Sequence, residues 1–192
     1  MRDLLTEKLA NYAPRQLALD YPEAGILVPV TNSPGQPEIV FTLRSANLST
    51  HRGQVAFPGG KRDPDDHSLA ATALRETHEE IGLPPEHVHI VAPLSQVMSR
   101  YGILVTPYVG VVPSDYPMQA NPAEIESIFQ VPIEYFLEDR RERTDALSFL
   151  NQTFYVPCYR WQRYQIWGLS AVVLVDFLNA VYDAGIDLLE PR

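Results

Sequence analysis

The sequence predicts an α/β fold in which a mixed β-sheet is sandwiched between α-helices. Apolar, β-branched segments occur before and after one central helical segment. A second, strongly apolar helical segment lies near the C-terminal end. Strands on both sides of a helix in the sequence, with another apolar helix at the end, are typical of a sheet between helical layers.

The length and composition predict a single domain over residues 1–192. The chain has 192 residues, of which 45% are hydrophobic and 20% are charged, as in ordinary globular proteins. Its net charge is −9. Broad electrostatic binding to nucleic acid or to an anionic membrane requires basic patches, so we expect neither as a partner.

Three observations predict a cytoplasmic location. Cys158 is the only cysteine, so no intrachain disulfide can form and a reducing compartment is expected. The first residues, MRDLLTEKLANY, carry acids among short apolar runs and do not resemble a signal peptide. The sequence contains no apolar run as long as a membrane span.

The region before the central helix predicts one helix and two strands. Residues 2–12 have helical spacing of their apolar side chains, and residues 13–24 form a connecting arm. The apolar segment 25–30, GILVPV, predicts a buried strand. The loop at 32–37 contains two prolines and a glycine, and 38–44, EIVFTLR, predicts the second strand of a hairpin-like pair.

The central helix has predicted start and stop residues. Ser68 is the expected N-cap, because its hydroxyl can accept a hydrogen bond from the first turn. Gly82 ends the helix, and Pro84-Pro85 prevent it from resuming. Four residues at steps of four, three and four mark the face that we expect to be buried: Ala70, Leu74, Thr77 and Ile81.

The same helix carries three glutamates, Glu76, Glu79 and Glu80, at positions i, i+3 and i+4. Their carboxylates are predicted to gather on one face, away from the apolar stripe, where they repel one another. Hard divalent cations such as Mg²⁺ and Mn²⁺ take carboxylate oxygens as ligands and reverse this repulsion. Arg75 reaches Glu79 at i+4 and could orient it. A solvated acidic face without a metal is the alternative.

Residues 60–83 contain, in order, a glycine, an acidic loop, an arginine, three glutamates and a terminal glycine. They resemble the Nudix box. This is the signature of hydrolases that cleave nucleoside diphosphates linked to another moiety. The first glycine of the pattern corresponds to Gly60, and its end corresponds to Arg75, Glu76, Glu79, Glu80, Gly82 and Leu83. The loop has one extra residue, so the leading glutamate falls on Asp66, one position early, or on His67 in strict register. We favour Asp66.

The resemblance implies metal-dependent hydrolysis with Mg²⁺ or Mn²⁺ as cofactor. It assigns metal binding to Glu76, Glu79 and Glu80, with the Gly60 carbonyl as a further ligand, and supporting roles to Arg75 and Asp66. Nudix hydrolases commonly add a carboxylate from late in the chain, and Asn121-Pro122-Ala123-Glu124 resembles that element. Glu124 is the candidate, with Glu126 as competitor, and either Glu76 or Glu124 is the catalytic base. The alternative is helix N-terminal acidity at Glu124.

A second signature precedes the box. Arg44-Ser45-Ala46, Thr50 to Gln54 and Phe57 to Gly60 resemble a Nudix subfamily that splits coenzyme A and its thioesters. Some forms of that signature have an arginine where this chain has Ser49. The resemblance implies a small CoA-like nucleotide as substrate, with 3′,5′-ADP and (acyl-)phosphopantetheine as products. Arg44 and Arg52 are the candidates for phosphate contacts, because guanidinium pairs with phosphate oxygens.

The remaining segments complete the predicted fold. Residues 87–98 and 103–112 predict core strands, and the charged run at 138–146 predicts a solvated turn or a helix end. Residues 149–161 suggest a hairpin near a cleft, whose aromatic side chains either line a substrate pocket or belong to the core. The apolar segment 166–184 predicts a helix that forms a core layer or a contact in a homodimer.

Three other functions compete with this interpretation. The chain could be a Nudix hydrolase of ADP-ribose or of a dinucleotide, although the upstream signature favours coenzyme A. It could be a non-catalytic Nudix module that senses a nucleotide, but such modules usually lose glutamates of the box, and all three are present here. The third alternative is a purely structural acidic helix, which predicts no metal binding.

Overall fold

The computed structural model describes residues 1–47, 53–149 and 152–190. The helices are α1 (Arg2–Leu9), α2 (Leu69–Ile81), α3 (Ile133–Leu137) and α4 (Gly168–Tyr182). The strands are β1 (Glu23–Thr31), β2 (Glu38–Arg44), β3 (Val55–Ala56), β4 (Gly59–Lys61), β5 (His89–Pro93), β6 (Val97–Met98), β7 (Leu104–Val112), β8 (Ile125–Pro132), β9 (Arg141–Phe149), β10 (Gln152–Trp161) and β11 (Tyr164–Ile166).

The large sheet is mixed, as predicted. Strands β1 and β7 pair in parallel along the whole of β1, from Glu23 opposite Leu104 to Thr31 opposite Val112. The other pairings in this sheet are antiparallel, with β8 lying along β2 and β5 along β7. A parallel pair inside an otherwise antiparallel sheet requires a long crossover, and α2 lies within the chain that connects β1 and β7.

Strands β1 and β2 diverge and leave a fork in the sheet. They share one register pair, Val30 opposite Ile39. Beyond it, β3 pairs with the end of β2, and β4 pairs with the start of β1. The N–H of Leu27 also donates to the carbonyl of Pro58 at 2.9 Å. The glycine pair therefore lies inside the fork, held by backbone hydrogen bonds.

Apolar side chains alternate between the two faces of the sheet, because successive residues of a strand point to opposite sides. On one face, Val40 and Val112 pack with Ile81 of α2. On the other, Ile39 and Phe41 belong to the larger core that includes α1 and α4 residues: Leu5, Leu9, Leu174, Phe177 and Leu178. This arrangement confirms the predicted sheet between helical layers.

A second sheet corrects the prediction for the charged run at 138–146. Most of this run is β9, which pairs with β10 along its length. Its charges are accommodated in the strand by ion pairs, including Arg143 with Asp145 at 2.8 Å and Arg160 with Glu142 at 2.7 Å. The hairpin predicted for 149–161 is confirmed in part: β10 (Gln152–Trp161) pairs antiparallel with β9 from Phe149 opposite Gln152, but residues 152–161 supply one strand of that hairpin and not both.

The C-terminal aromatic and apolar residues belong to the core. Tyr159 is fully buried, with its ring 5.2 Å from that of Phe136 in α3. Trp161 contacts Tyr135 in the same region, with ring centroids 4.9 Å apart. Helix α4 is a core layer with eight buried residues. Among the residues that the model describes, no helix is long and apolar enough to cross a membrane.

Candidate active site

Helix α2 begins and ends where the sequence predicts. The Ser68 hydroxyl accepts a hydrogen bond from the Ala71 N–H at 3.1 Å. Gly82 has φ of 67°, a left-handed conformation that glycine adopts without strain, and its N–H donates to the carbonyl of His78. These two caps fix the helix over the sheet and so determine where its glutamates lie.

The buried face of α2 differs from the predicted stripe. Thr77 and Ile81 are buried as expected, but Ala70 and Leu74 are only half-buried. Ala73 and Glu80 are buried instead. The prediction that all three carboxylates lie away from the core is therefore wrong for Glu80, whose side chain turns towards the fork between β1 and β2.

Glu80 is the most enclosed of the three glutamates, with 2% of the residue exposed. One carboxylate oxygen accepts a hydrogen bond from the Gly59 N–H at 3.1 Å, and the other lies 3.2 Å from Nη1 of Arg44. The pKa of Glu80 is raised to about 7, chiefly by burial and also by the charges of Glu76 and Glu124. The hydrogen bond from Gly59 and the charge of Arg44 oppose this shift. Burial therefore disfavours the anionic form of this carboxylate, and the neighbouring Arg44 favours it.

Glu76 lies directly over Gly60. A β-carbon built on Gly60 would lie 2.4 to 2.6 Å from the three atoms of the Glu76 carboxylate group. Only glycine leaves room for this approach, because any side chain at position 60 would overlap the carboxylate. Burial raises the pKa of Glu76, and the charges of Glu79 and Glu124 raise it further, whereas Arg75 opposes the shift.

Arg75 joins the acidic loop to the exposed side of the glutamate cluster. Its Nη1 lies 3.0 Å from Glu76 Oε1 and 3.3 Å from both oxygens of Glu79. On the other side, its Nε and Nη2 each donate to Asp66 at 3.0 Å. This bidentate pair has the strong geometry that guanidinium and carboxylate form.

Asp66, the favoured candidate for the leading acidic position, contacts Arg75, whereas His67 is exposed. The Asp66 carboxylate also accepts hydrogen bonds from the Thr72 hydroxyl at 2.8 Å and from the Asp63 N–H at 2.9 Å. The Arg75 guanidinium, helped by these two donors, holds the pKa of Asp66 well below its usual range. The contact with Thr72 has no signal in the family pattern.

Glu124 is brought to the cluster by a turn rather than by a helix. Residues 121–124 form a turn that leads into β8, so the alternative of helix N-terminal acidity is wrong. The Asn121 N–H donates to the carbonyl of Glu80 at 2.9 Å, and the Ser45 N–H donates to the carbonyl of Glu124 at 2.7 Å. These bonds attach the turn to the end of α2 and to the end of β2.

The two candidates for the late carboxylate differ in their surroundings. The charge of Glu124 contributes to the raised pKa of both Glu76 and Glu80. Glu126 is exposed, and its described ion pair is with Arg163 at 3.8 Å. Glu124 therefore interacts electrostatically with the cluster, from a turn that is hydrogen-bonded to the end of α2. Of the two arginines predicted to bind phosphate, Arg44 contacts Glu80, and Arg52 lies outside the described residues.

The donors at this site suit a hard divalent cation. Glu76, Glu79, Glu80 and Glu124 supply only oxygen ligands. Burial, and to a lesser extent the charges of neighbouring glutamates, raises the pKa of Glu76 and of Glu80. Within residues 1–47, 53–149 and 152–190, no group of three His, Cys, Asp or Glu side chains is arranged so that it could hold a metal ion by itself. Mg²⁺ in proteins usually binds through one or two carboxylates, together with water and substrate phosphate.

Comparison with known proteins agrees with the fold and the motif. The family model described as the NUDIX domain matches residues 21–151. A Photorhabdus laumondii protein named as an uncharacterized Nudix hydrolase, NudL, is 40% identical over 168 residues, which are 88% of this chain and 89% of the relative. A Yersinia pestis protein of the same name is 39% identical over 153 residues, 79% of this chain and 75% of the relative.

Solved structures show the same fold at lower identity. RenU, a Nudix hydrolase from M. smegmatis with a known crystal structure, has 22% sequence identity to this chain. The two structures align with a TM-score of 0.51 over 62% of this chain and 74% of RenU. A MutT/nudix family protein from Enterococcus faecalis is 18% identical, with a TM-score of 0.52, over 94% of this chain and 69% of that one. The chain therefore belongs to the Nudix hydrolase family, enzymes that act on pyrophosphate bonds and generally use divalent metal ions.

Proposed function

We propose that this enzyme hydrolyses the pyrophosphate bond of coenzyme A or an acyl-CoA. Water adds to one phosphorus atom and the bridging P–O bond breaks, giving 3′,5′-ADP and (acyl-)phosphopantetheine. The metal ion is Mg²⁺ or Mn²⁺. We also propose that the enzyme works in the cytoplasm, which agrees with its single cysteine. A homodimer remains a proposal that measurement of the mass in solution would test.

One observation carries the substrate proposal: the segment that resembles the coenzyme A signature contacts the carboxylate cluster. Arg44 of the Arg44-Ser45-Ala46 element lies 3.2 Å from Glu80. Ser45 is hydrogen-bonded through its N–H to the turn that carries Glu124. Residues of this signature therefore lie beside the carboxylates that we propose as metal ligands, which supports the choice of coenzyme A as substrate.

The residues of the site divide into three roles. Glu76, Glu79 and Glu80 would hold the metal, with the Gly60 carbonyl as a further candidate ligand. A bound divalent cation offsets the negative charge of the phosphoanhydride and lowers the pKa of water. Glu124 or Glu76 would accept the proton of the attacking water, since both are partly enclosed carboxylates of the cluster. Arg44 and Arg52 would bind phosphate oxygens.

The test is product analysis after incubation with coenzyme A, acetyl-CoA, ADP-ribose and NADH, each with Mg²⁺ or Mn²⁺. We expect 3′,5′-ADP from coenzyme A or its thioester, and loss of this product in Glu80→Gln. Cleavage of ADP-ribose or NADH alone would overturn the coenzyme A proposal and retain pyrophosphate hydrolysis. Absence of any turnover, with metal still bound, would favour the nucleotide-sensing alternative.

A further inference from the structure

Arg44 and Glu80 form an ion pair that is largely buried. The Glu80 side chain is 2% exposed and that of Arg44 is 21% exposed, so both charges are largely removed from water. Both oxygens of Glu80 are engaged, one by the Gly59 N–H and one by Arg44 Nη1. A buried carboxylate of this kind requires a compensating cation, and the Arg44 guanidinium is placed to supply it.

The guanidinium of Arg44 is incompletely satisfied in this position. Its Nε is buried and has no hydrogen-bond partner among the residues that the model describes. An unsatisfied buried donor costs free energy, so a second acceptor for this group would be stabilising. A guanidinium that makes one contact through Nη1 still has donors to offer to a planar or tetrahedral oxyanion.

The backbone of Arg44 is fixed, so only its side chain can change partner. The Arg44 N–H donates to the Gln54 carbonyl, and the Gly53 N–H donates to the Arg44 carbonyl, both at 3.0 Å. The register of β2 against β8 shifts between Leu43 and Arg44, placing Arg44 opposite Ile125. Such bulges re-aim side chains at functional sites.

We infer that Arg44 alternates between two anionic partners, Glu80 in the metal-free enzyme and a phosphate group of the substrate once Glu80 serves as a metal ligand. The second partner rests on the proposed function, while the first is the contact between Arg44 Nη1 and Glu80 described above. Since Arg44 and a divalent cation use the same carboxylate, metal binding frees the guanidinium for phosphate. Arg44 thus makes phosphate recognition depend on prior metal binding, beyond the charge that the metal itself contributes.

Binding of inorganic pyrophosphate in the presence of EDTA tests this inference without any metal. Glu80→Gln releases Arg44 from its charged partner, so we expect this variant to bind pyrophosphate about tenfold more tightly than the wild type in calorimetric titrations. Glu79→Gln is the matched control, because it removes one negative charge from the same cluster and Glu79 contacts Arg75 instead. We expect Glu79→Gln to gain less than about twofold.

The double variant Glu80→Gln/Arg44→Gln completes the cycle and should lose the gain, with pyrophosphate affinity equal to that of Arg44→Gln alone. Equal gains in Glu80→Gln and Glu79→Gln would show only a general effect of charge and would overturn the inference. So would a gain that survives in the double variant. Circular dichroism of each variant verifies that the fold is retained.

A second measurement follows Arg44 itself. The Nε–H resonance of ¹⁵N-labelled protein, assigned by its loss in Arg44→Lys, should shift when Mg²⁺ is added without nucleotide. It should not shift in Glu80→Gln. An unchanged resonance at saturating Mg²⁺ would overturn the inference. Both measurements are independent of coenzyme A, so a failure of the substrate proposal leaves their outcome unaffected.

Discussion

The carboxylate of Glu76 occupies the space that a side chain at Gly60 would need. The nearest atom, Glu76 Cδ, is 2.4 Å from the position of the missing β-carbon. Since that carboxylate is the far end of a flexible side chain, Gly60→Ala should move it without disturbing the backbone. We expect the melting temperature to change little and kcat to fall at least about tenfold, because a misplaced ligand or base loses transition-state stabilisation.

Gly25 is the matched control, because it lies directly opposite Gly60 in the pairing of β1 with β4. A β-carbon on Gly25 would lie 2.1 Å from the carbonyl oxygen of Leu69 in α2, a backbone atom that cannot rotate away. Gly25→Ala should therefore lower the melting temperature. If Gly60→Ala destabilised the protein as much as Gly25→Ala, the glycine at 60 would be a packing requirement only. Thermal unfolding and steady-state kinetics on both variants decide this.

Asp66 predicts an acid-dependent contribution to stability. Hydrogen bonds from Arg75 hold its pKa below the ordinary value of 3.8, so the folded state favours the anion. This stability is fully present above pH 3.8 and is lost as the pH falls through the lowered pKa. Asp66→Asn should cost about 2 kcal/mol at pH 7, and the difference from wild type should shrink below pH 4.

Urea unfolding of wild type and Asp66→Asn between pH 2.5 and 7 measures this difference. The control is His67→Ala, since His67 is exposed and competes with Asp66 for the same position in the family pattern. We expect its stability to equal that of wild type throughout. A larger loss in His67→Ala than in Asp66→Asn would reverse the assignment.

Glu80 predicts the opposite pH dependence for the metal-free enzyme. Burial raises its folded-state pKa from 4.5 to about 7, so the folded state retains a proton that the unfolded chain has released. Stability should therefore fall as the pH rises from about 4.5 to 7, by about 3 kcal/mol. Glu80→Gln should remove this loss and be more stable than wild type at pH 8 in EDTA.

Chemical unfolding at pH 4 and pH 8, each with EDTA, tests the Glu80 prediction. At pH 4 both proteins carry a neutral group at position 80 and should be equally stable. Adding Mg²⁺ at pH 8 should stabilise the wild type by mass action and leave Glu80→Gln much less affected. A variant that is less stable than wild type at pH 8 would show that the Arg44 contact outweighs burial.

Glu124 and Glu126 form a natural pair for locating the base. Glu124 lies in the turn attached to α2 and β2, whereas Glu126 is exposed on β8. If Glu124 accepts the proton, Glu124→Gln should lower kcat by about 10²- to 10⁴-fold with a small change in KM, and Glu126→Gln should resemble wild type. Near-normal kcat in Glu124→Gln, with loss in Glu76→Gln, would assign the base to Glu76.

The sequence was sufficient to predict features that depend only on residues close together in the chain. The caps at Ser68 and Gly82 are local chemistry, and both ends of α2 were predicted correctly. The inward orientation of the Glu80 side chain was not predicted. Helical spacing places Glu80 beside Glu76, and its partners Gly59 and Arg44 come from the fork beneath the helix, which the spacing does not reveal. Strand β9 was missed for the same reason: its charged residues resemble a solvated turn until β10 pairs with them.

The fork between β1 and β2 has a consequence for how this site can change during evolution. It exposes the main-chain N–H of Gly59 to a carboxylate. A β-carbon at position 59 would lie 2.5 Å from main-chain atoms of Gly25 and Ile26, so the strand pairing that places this N–H also requires glycine there. Mutations can alter Arg44 or the glutamates and so retune the chemistry. The amide of position 59 is inherited with the strand pairing itself, which gives every variant that folds one permanent donor for the buried anion.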